Sequence, residues 1–353
     1  MHIIISRFSA IGDVAMTIPV LYGLAKANPR HRFTLITKRG MTRMFVAPPS
    51  NLEIVGLDFK GNPFSDYRTL ARAVDAARVK ARGKRYFVDL HDVLRSRLLS
   101  LVCRTRGYHT LRFDKARRAK RALVSHKPGA APVSSNFLRY AAPFEHIPGL
   151  KPAAPFTSIF PSGKGNPALF QSITGPRRDG EKWVGIAPFA AHQGKIYPPE
   201  SMRRVIDELA WKGSIRIFLF GGGSREKAIL DEWAAPYDNV ISLAGSGLTL
   251  EAELSLMSHI DIMLTMDSAN MHFAALTATP SISIWGATAP TTGFAPYSSP
   301  AAPRPNAYIQ LDDLPCRPCS VFGNKPCPHT TYPCLQRIPP STITATLLTH
   351  LQN

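Results

Sequence analysis

The sequence lacks long apolar runs and the features of a secretory signal peptide. No segment approaches the roughly 20 uninterrupted apolar residues that a membrane-spanning helix needs. The opening residues, MHIIISRFSAIGDV, do not have the basic start, continuous apolar run and small-residue cleavage site of a leader. We therefore expect a cytoplasmic protein.

Glycine is scarce where a dinucleotide-binding loop would need it. A short apolar strand, His2 to Ser6, leads into a loop and helix that contain only Gly12, whereas the G-x-G-x-x-G fingerprint has three glycines. We expect neither a nicotinamide nor a flavin cofactor. Asp13 has two interpretations at this stage: it caps the first helix, or it offers a carboxylate for acid–base chemistry.

Cysteine is also scarce, and four of the five cysteines lie near the end of the chain. Their order is C-x2-C-x7-C-x6-C, formed by Cys316, Cys319, Cys327 and Cys334. Four thiols in a reducing compartment favour a structural zinc over disulfides, although the spacing is looser than that of a zinc ribbon. The alternative is a loop with free thiols.

Acidic residues are few in the first half of the chain. Residues 1–175 contain 29 Lys and Arg against 9 Asp and Glu, whereas residues 176–353 contain 14 against 15. A strongly cationic half attracts phosphate-rich partners such as nucleic acid, anionic lipid or a multiply phosphorylated substrate. Because no zinc-finger or RNP-type signature accompanies the charge, we do not expect nucleic acid as the partner.

The length of 353 residues predicts two domains. Strands alternate with helices along the whole chain, which indicates α/β domains with parallel sheets. The segment 128–176 is rich in Pro, Gly, Ser and Ala, and we place the boundary late in it. The predicted domains are therefore residues 1–170 and residues 171–353.

Basic residues of the first half fall into helical stretches. One runs from Tyr67 to Arg85, a second opens at His91, and the densest cluster spans residues 112–127. A solvated face is the ordinary interpretation of such a run, but closely spaced cations repel one another unless an anion lies near. The candidate anion-binding residues are Arg95, Arg97, Arg117, Arg118, Lys120 and Arg121.

The most informative stretch runs from Ser258 to Ala287. It predicts a strand, a polar loop, a helix and a second buried strand, so the two strands are parallel. Ligands of such sheets bind beyond the carboxyl ends of the strands, and the N–H groups of a helix start suit a diphosphate. The candidate binding residues there are Asp267, Ser268, Asn270 and His272. Two structural alternatives remain open, a helix-capping Asp267 and a core His272.

Two further loops of the second half carry candidate residues. The strand at 183–187 leads into a loop that contains Lys195, and the strand at 215–220 runs into a glycine-rich turn. In that turn Gly222 and Gly223 would let the backbone approach a ligand, and Glu226 follows at the helix start. Glycine-rich turns are common without ligands, so this turn alone is weak evidence.

Taken in order, these motifs resemble glycosyltransferase family 9, the ADP-heptose:lipopolysaccharide heptosyltransferases. The matching segments are Ile3 to Val14, Asp89 to Ser96, Gly221 to Lys227, Asp267 to His272 and Trp285 to Ala287. The resemblance implies a GT-B fold, in which two Rossmann-like doubly wound domains face each other across a cleft. The first domain would bind the acceptor, and the second would bind the nucleotide-sugar donor.

The resemblance also assigns roles to residues. Asp13 would be the general base of an inverting transfer, and Lys195 would stabilise the departing diphosphate. Glu226 would meet the nucleotide ribose, and the loop from Asp267 to His272 would bind the donor. The sequence has no Asp-x-Asp pair for a catalytic divalent metal, so we expect no cofactor for catalysis.

The expected donor is ADP-heptose, and the expected acceptor is a phosphorylated, Kdo-bearing lipid A or core saccharide. The basic first half would then lie on the cytoplasmic face of the inner membrane as a peripheral protein. Two other functions remain open: a nucleic-acid or anionic-surface binding protein on a degenerate GT-B scaffold, and a sugar-nucleotide epimerase. Ala269 replaces a glycine that is usual in the family, which leaves the identity of the donor open.

Overall fold

A computed structural model describes residues 1–79 and 83–352, which form two compact units. Unit 1 contains Met1–Arg117 and Ser134–Ile159, and unit 2 contains Arg118–Val133 and Phe160–Asn353. By contacts the chain therefore passes between the units after residues 117, 133 and 159. The domain limits 1–170 and 171–353 stay a prediction.

Unit 1 is built on a parallel sheet of five strands in the order β3-β2-β1-β4-β5. The strands are β1 (His2–Ser6), β2 (Arg32–Lys38), β3 (Leu52–Leu57), β4 (Arg85–Asp89) and β5 (His109–Arg112). The three isoleucines of β1 are completely buried, as expected for a central strand that helices cover on both faces.

The helices of unit 1 connect these strands. They are α1 (Ile11–Ala15), α2 (Ile18–Ala27), α3 (Pro63–Val79), α4 (Leu94–Thr105), α5 (Arg117–Val124), which runs on into unit 2, and α6 (Asn136–Glu145), with a 3-10 turn at Arg39–Met44. Helices α3 and α4 pack against each other. Leu70, Val74, Leu99 and Val102 of these helices join Phe87 of β4 in one apolar core.

Unit 2 is built on a parallel sheet of six strands in the order β8-β7-β6-β9-β10-β11. The strands are β6 (Lys182–Ala187), β7 (Ile215–Leu219), β8 (Val240–Ser242), β9 (Ile262–Met266), β10 (Ser281–Ile284) and β11 (Ala307–Ile309). The parallel pairing of β9 with β10 confirms the prediction from Ser258–Ala287.

The helices of unit 2 cover this sheet. They are α7 (Gln171–Thr174), α8 (Pro199–Ala210), α9 (Gly223–Ala234), α10 (Leu250–Met257), α11 (Ala269–Leu276), α12 (Pro333–Gln336) and α13 (Pro340–Gln352). Short 3-10 turns lie at Pro167–Leu169, Gln193–Lys195 and Pro290–Thr292. The C-terminal helix α13 packs against α8, and its Ile343 and Leu347 belong to the core of the unit.

Both sheets have the doubly wound order, which confirms the predicted α/β class. The strand order reverses between β1 and β4 in unit 1 and between β6 and β9 in unit 2. Loops that follow these paired strands diverge to opposite faces and leave a crevice at the carboxyl edge, where such sheets bind ligands. The loops after β1, β4, β6 and β9 are therefore the places to look for functional side chains.

Two predicted helices have different bounds in the structure. The basic stretch expected from Tyr67 to Arg85 is helical from Pro63 to Val79, and Arg85 begins β4; Lys80 and Arg82 of that stretch lie outside the described residues. The helix expected to open at His91 begins at Leu94. Asp92 adopts a positive φ of 49°, which is incompatible with a helical start there.

Within residues 1–79 and 83–352, no helix combines the length and the apolar character that crossing a bilayer requires.

His2 gives unit 1 a predictable response to acid. Its ring nitrogens lie 3.2 Å from the Tyr108 hydroxyl and 3.0 Å from Thr34 Oγ1, and burial together with the charge of Arg32 lowers its pKa to about 4. Between this value and the unfolded pKa near 6.5, only the unfolded chain binds the proton, so stability falls as the pH falls. When the pH falls from 7 to 5, the free energy of unfolding of the parent should decrease. In His2→Gln we expect this decrease to be smaller by about 1–2 kcal/mol, as measured by urea unfolding.

The control is His109→Gln, at an exposed position of the same unit. It should keep the pH dependence of the parent. Equal acid sensitivity in the parent and in His2→Gln would show that His2 does not carry this effect.

Candidate active site

In unit 1, the loop after β1 holds the carboxylate of Asp13 in place. Asp13 Oδ1 lies 2.8 Å from Arg7 Nη2 and accepts a hydrogen bond of 3.3 Å from the Tyr140 hydroxyl. Arg7 is buried, donates from Nη1 to the carbonyl of Leu90 at 2.7 Å, and has its guanidinium 5.6 Å from the centre of the Tyr140 ring. The carboxylate is thus fixed by a cation that is itself anchored to the loop after β4.

These contacts argue against the capping interpretation of Asp13. The residue lies inside the short helix α1, whose N-cap is Ala10, and its side chain points to Arg7 and Tyr140. Both contacts use Oδ1, and Oδ2 accepts no hydrogen bond from the described part of the chain. Asp13 therefore keeps one carboxylate oxygen without a hydrogen-bond donor in the described chain, and its acid–base role stays a prediction.

His91 lies beside this pair and stays uncharged. Burial, followed by the charges of Arg7 and Lys115, lowers its pKa to about 3. Its Nδ1 lies 3.4 Å from the backbone nitrogen of Phe8. The neutral ring fills the space between the loops after β1 and β4 without adding charge near Asp13.

The turn between β4 and α4 is organised by Asp89. Its carboxylate accepts hydrogen bonds from the backbone N–H groups of His91 and Asp92 and from the hydroxyl of Ser96, at 2.8–2.9 Å. The hydroxyl of Ser6 at the end of β1 adds a fourth at 3.3 Å. The motif from Asp89 to Ser96 therefore has a structural explanation, because it sets the path of the loop that carries Asp92.

Four cations converge on Asp92. Guanidinium nitrogens of Arg97, Arg112 and Arg117 lie 3.0, 3.3 and 3.2 Å from its carboxylate, and Lys115 Nζ donates to its carbonyl at 2.9 Å. Burial opposes ionisation of Asp92, but the hydrogen bond from Arg97 and the charges of Arg112 and Arg117 lower its pKa. One carboxylate neutralises only part of this charge, so the cluster favours an anionic ligand.

The six predicted anion-binding residues are divided between the two units. Arg97 and Arg117 belong to the cluster on Asp92, whereas Arg95 pairs with Asp66 at 2.9 Å and lies over the ring of Phe59. The other three, Arg118, Lys120 and Arg121, belong to unit 2, where Lys120 is buried with its Nζ 4.1 Å from the centre of the Phe294 ring.

In unit 2, the loops after β6 and β9 bring Lys195 and Asp267 together. Lys195 Nζ lies 2.9 Å from Asp267 Oδ2, and the Thr288 hydroxyl donates to the same oxygen at 2.8 Å. The N-cap of α11 is Ser268, so Asp267 has turned away from the helix start toward the lysine. This excludes the capping interpretation and places an ion pair, with a buried Asp267 and a partly exposed Lys195, at the point where the strand order reverses.

The start of α11 lies beside this ion pair. The hydroxyl oxygen of Ser268 is buried and has no hydrogen-bond partner within the described chain, which is rare for an interior polar group. His272 is buried one turn further along α11, and Asn270 is partly exposed. The structure thus brings Lys195, Asp267 and Ser268 together at one helix start.

The glycine-rich turn after β7 closes on itself. The N–H of Gly222, the N-cap of α9, donates to Glu226 Oε2 at 2.8 Å. Gly223 follows with a positive φ of 78°. Glu226 therefore turns back over the start of α9, where its other carboxylate oxygen remains available to a hydroxyl group.

The segment Trp285–Ala287 explains why a glycine occupies its middle position. A Cβ on Gly286 would lie 2.6 Å from Leu335 Cγ and 2.7 Å from the carbonyl oxygen of Gly194. That same carbonyl accepts a hydrogen bond of 2.9 Å from the N–H of Ala287. The close approach fixes the turn that carries Lys195 against the loop after β10.

The cysteine-containing tail packs on the same turn. Arg317 is buried and donates to the carbonyls of Trp285, Gly286, Thr288 and Leu311 and to Gln310 Oε1. Gly323, with a φ of 74°, leaves room for Lys195, because a Cβ there would lie 2.6 Å from Lys195 Cγ. The tail therefore holds the stem of the lysine in position.

The structure does not support the predicted zinc site. Cys316, Cys319, Cys327 and Cys334 are free, and no group of three or more metal-ligating side chains that could hold a metal ion occurs among residues 1–79 and 83–352. Burial raises the pKa of Cys334 to about 11, since this thiol packs in the core of unit 2. The thiols are free, as in the alternative interpretation, but Cys334 lies in α12 and not in a loop.

Several residues of the site were not predicted from the sequence. Arg7 and Tyr140 hold Asp13, and Arg112 and Lys115 complete the cluster on Asp92. Arg7 follows β1 directly, and a cation at the end of a buried strand is unusual enough to have been a signal. For Tyr140, which lies 127 residues from Asp13, no local pattern pointed to the contact.

Known proteins share both the sequence pattern and the fold. The family model "Glycosyltransferase family 9 (heptosyltransferase)" matches residues 78–324. Lipopolysaccharide heptosyltransferase 3 of Escherichia coli K12 is 31% identical over 109 residues, which are 31% of this chain and 32% of that protein. The match thus spans about a third of the curated relative.

Solved structures are similar over nearly the whole chain. A glycosyl transferase family 9 protein of Veillonella parvula has a TM-score of 0.75 at 18% identity, covering 99% of this chain and 97% of that one. E. coli ADP-heptose lps heptosyltransferase II has a TM-score of 0.70 at 16% identity, covering 100% and 99%. E. coli heptosyltransferase WaaC with ADP has a TM-score of 0.66 at 16% identity, covering 99% and 100%.

Removal of Arg317 should cost unit 2 much stability. Arg317→Ala leaves four backbone carbonyls and one amide oxygen without their donor, and we expect a loss of about 3 kcal/mol or more in chemical denaturation. Arg337→Ala removes an arginine of the same tail whose pairing with Asp313 is exposed, so it should cost less than about 1 kcal/mol. Similar losses in both variants would contradict the role given to Arg317.

Proposed function

Because the chain belongs to glycosyltransferase family 9, the heptosyltransferase family, we propose that it transfers a heptose from ADP-heptose to an acceptor of the lipopolysaccharide type. The chain is thus a glycosyltransferase with a GT-B fold, as the sequence motifs predicted. The donor is proposed because relatives of the same fold are named as ADP-heptose enzymes or contain ADP.

The observation that carries the proposal is the ion pair of Lys195 with Asp267 at the start of α11. A lysine whose side chain is only 15% exposed, beside the free N–H groups of a helix start, suits the charge of a diphosphate better than any neutral ligand. The unpartnered hydroxyl of Ser268 adds a donor at the same place. In this proposal Gly222, Gly223, Glu226, Asn270 and His272 complete the donor-binding set, with Glu226 toward the ribose.

The proposed reaction is a single displacement with inversion. An acceptor hydroxyl attacks the anomeric carbon of the heptose while the bond from that carbon to the diphosphate oxygen breaks. Asp13 takes the proton of the hydroxyl, and Lys195 stabilises the negative charge that develops on the departing ADP. Arg7 and Tyr140 keep the carboxylate of Asp13 oriented for this step.

We also propose that the transfer needs no divalent metal. This proposal is supported by Lys195 and the start of α11, which would supply the charge stabilisation that Mg²⁺ gives in other sugar-nucleotide enzymes. The sequence contributes no Asp-x-Asp pair.

For the acceptor, we propose a phosphorylated, Kdo-bearing lipid A or core saccharide. The support is the cluster of Arg97, Arg112, Lys115 and Arg117 around Asp92, which lies at the same carboxyl edge of the unit 1 sheet as Asp13. An arginine guanidinium group can donate two parallel hydrogen bonds to two oxygens of one phosphate. Together with Arg95, these residues of unit 1 would also favour the anionic cytoplasmic face of the inner membrane.

The direct test is transfer from ADP-heptose to Kdo-bearing lipid A in the presence and absence of EDTA. Product formation in both conditions is the expected result. If ADP binds but no product forms, the donor sugar or the acceptor is different; if ADP does not bind, the proposed donor is wrong.

Asp13→Asn should reduce kcat about 100-fold or more, because a general base typically contributes a factor of this size. The Kd of ADP should change less than about twofold, since the substitution removes no group from unit 2. Asp58→Asn alters an exposed ion pair with Arg39 in the same unit and serves as the control, with kcat close to the parent. An Asp13→Asn enzyme with parental kcat would refute the assignment of the base.

Gly323→Ala tests whether the tail positions Lys195. The added Cβ would displace the lysine stem, and we expect ADP affinity to fall about tenfold or more in calorimetric titration. Gly247→Ala introduces the same kind of backbone strain, at a φ of 81°, but its Cβ meets no atom within 4 Å. Equal ADP affinity in the two variants would show that contact with Gly323 does not matter for the donor.

A further inference from the structure

We propose that Phe64 and Leu94 form an apolar tip by which unit 1 inserts into an anionic phospholipid surface. The inference rests on the proposed function in one respect, the lipid-linked acceptor. Charge attraction alone does not orient the protein on the membrane. Two side chains that enter the bilayer would determine which edge of unit 1 faces it.

The first observation is the exposure of these two side chains. Phe64 is 71% exposed and Leu94 is 86% exposed, although both are large and apolar. Single exposed apolar residues are ordinary on soluble proteins. Here they lie near the first residues of two helices that pack against each other, Phe64 on α3 and Leu94 on α4.

The second observation places the two helix starts side by side. The ion pair of Arg95 with Asp66 joins the residue after Leu94 to the first turn of α3. Arg95 also lies 4.4 Å from the centre of the Phe59 ring, in the loop that leads into α3. Phe64 and Leu94 therefore belong to one local surface.

The third observation is the charge around this surface. Arg68 lies 5.9 Å from the centre of the Phe64 ring, and the cluster of Arg97, Arg112, Lys115 and Arg117 lies on the loop that precedes Leu94. With Arg95, six cations surround two carboxylates, Asp66 and Asp92. Exposed apolar side chains surrounded by basic residues bind anionic bilayers well, because insertion of the apolar groups and attraction between the charges act together.

The fourth observation relates the tip to the reaction. The loops after β3 and β4 leave the same carboxyl edge of the sheet as the loop after β1, which leads to Asp13. A bilayer that holds the tip therefore lies at the edge of the sheet where an acceptor hydroxyl must arrive. An acceptor whose lipid tails stay in the membrane could meet Asp13 without leaving it.

The test uses the full chain and vesicles of phosphatidylcholine with and without phosphatidylglycerol, at physiological salt. We expect the parent to sediment with the anionic vesicles and much less with the neutral ones. The double variant Phe64→Ser with Leu94→Ser should bind anionic vesicles about tenfold to 100-fold more weakly, at about tenfold per apolar side chain withdrawn from the bilayer.

Two controls are available in the chain. Val79→Ser changes an equally exposed apolar residue, 87% exposed, at the opposite end of α3, and Trp211→Ser changes an exposed tryptophan of unit 2. Both should bind vesicles like the parent. Unchanged binding in the double variant, or an equal loss in the controls, would overturn the proposal.

A second measurement reports insertion itself. In Leu94→Trp, the difference emission relative to the parent should shift to the blue on anionic vesicles and be quenched by brominated lipid, whereas Val79→Trp should show neither change. Failure of Leu94→Trp to respond while the protein still sediments would show binding by charge alone and contradict the tip.

Turnover separates this proposal from the proposed function. With a water-soluble acceptor fragment, the double variant should keep the parental rate, and with the acceptor in vesicles its rate should fall with its binding. A double variant inactive on both acceptors would contradict the membrane role. A parent that binds vesicles through Phe64 and Leu94 but transfers no sugar would contradict only the proposed function.

Binding of the parent to RNA but not to vesicles would contradict the membrane proposal and would indicate nucleic acid as the partner.

Discussion

The ion pair between Lys195 and Asp267 is the interaction on which the proposed chemistry depends. The two residues follow β6 and β9, the neighbouring strands between which the order of the unit 2 sheet reverses. An ion pair that is largely removed from solvent contributes little net stability, because desolvation offsets most of the attraction between the charges. The proposed diphosphate would account for this pair better than the stability of the fold does. Arg317 donates hydrogen bonds to backbone carbonyls of the loop after β10. The C-terminal segment therefore stabilises the backbone next to this ion pair.

Unit 1 also has an ion pair at its reversal point, but there the more deeply buried partner is the cation. Arg7 is the buried cation, and it is anchored to the carbonyl of Leu90 on the loop after β4. A buried guanidinium needs an anionic partner, and Asp13 supplies it while keeping one carboxylate oxygen for a proton. The neutral His91 beside the pair adds no competing charge. In both units, the candidate site residues follow the strands between which the order of the sheet reverses.

Much of the fold could be predicted from the sequence, because buried parallel strands are continuous apolar runs and their loops carry the motifs. The strand His2–Ser6 and the pairing of β9 with β10 are examples. The contacts within the site could not be predicted in the same way. Arg112 reaches Asp92 because β5 pairs with β4, and sequence spacing does not contain that pairing. The choice between a zinc site and free thiols could not be made from the sequence, because spacing alone does not show that Cys334 enters the core.

The measurement that tests the account most directly is a crystal structure of the protein with ADP. We predict that the diphosphate lies at the start of α11, with an oxygen within hydrogen-bond distance of Lys195 Nζ and another near the hydroxyl of Ser268. ADP bound elsewhere in unit 2, or bound with its diphosphate away from Lys195 and α11, would contradict the assignment of the donor site and the role proposed for the Lys195–Asp267 pair.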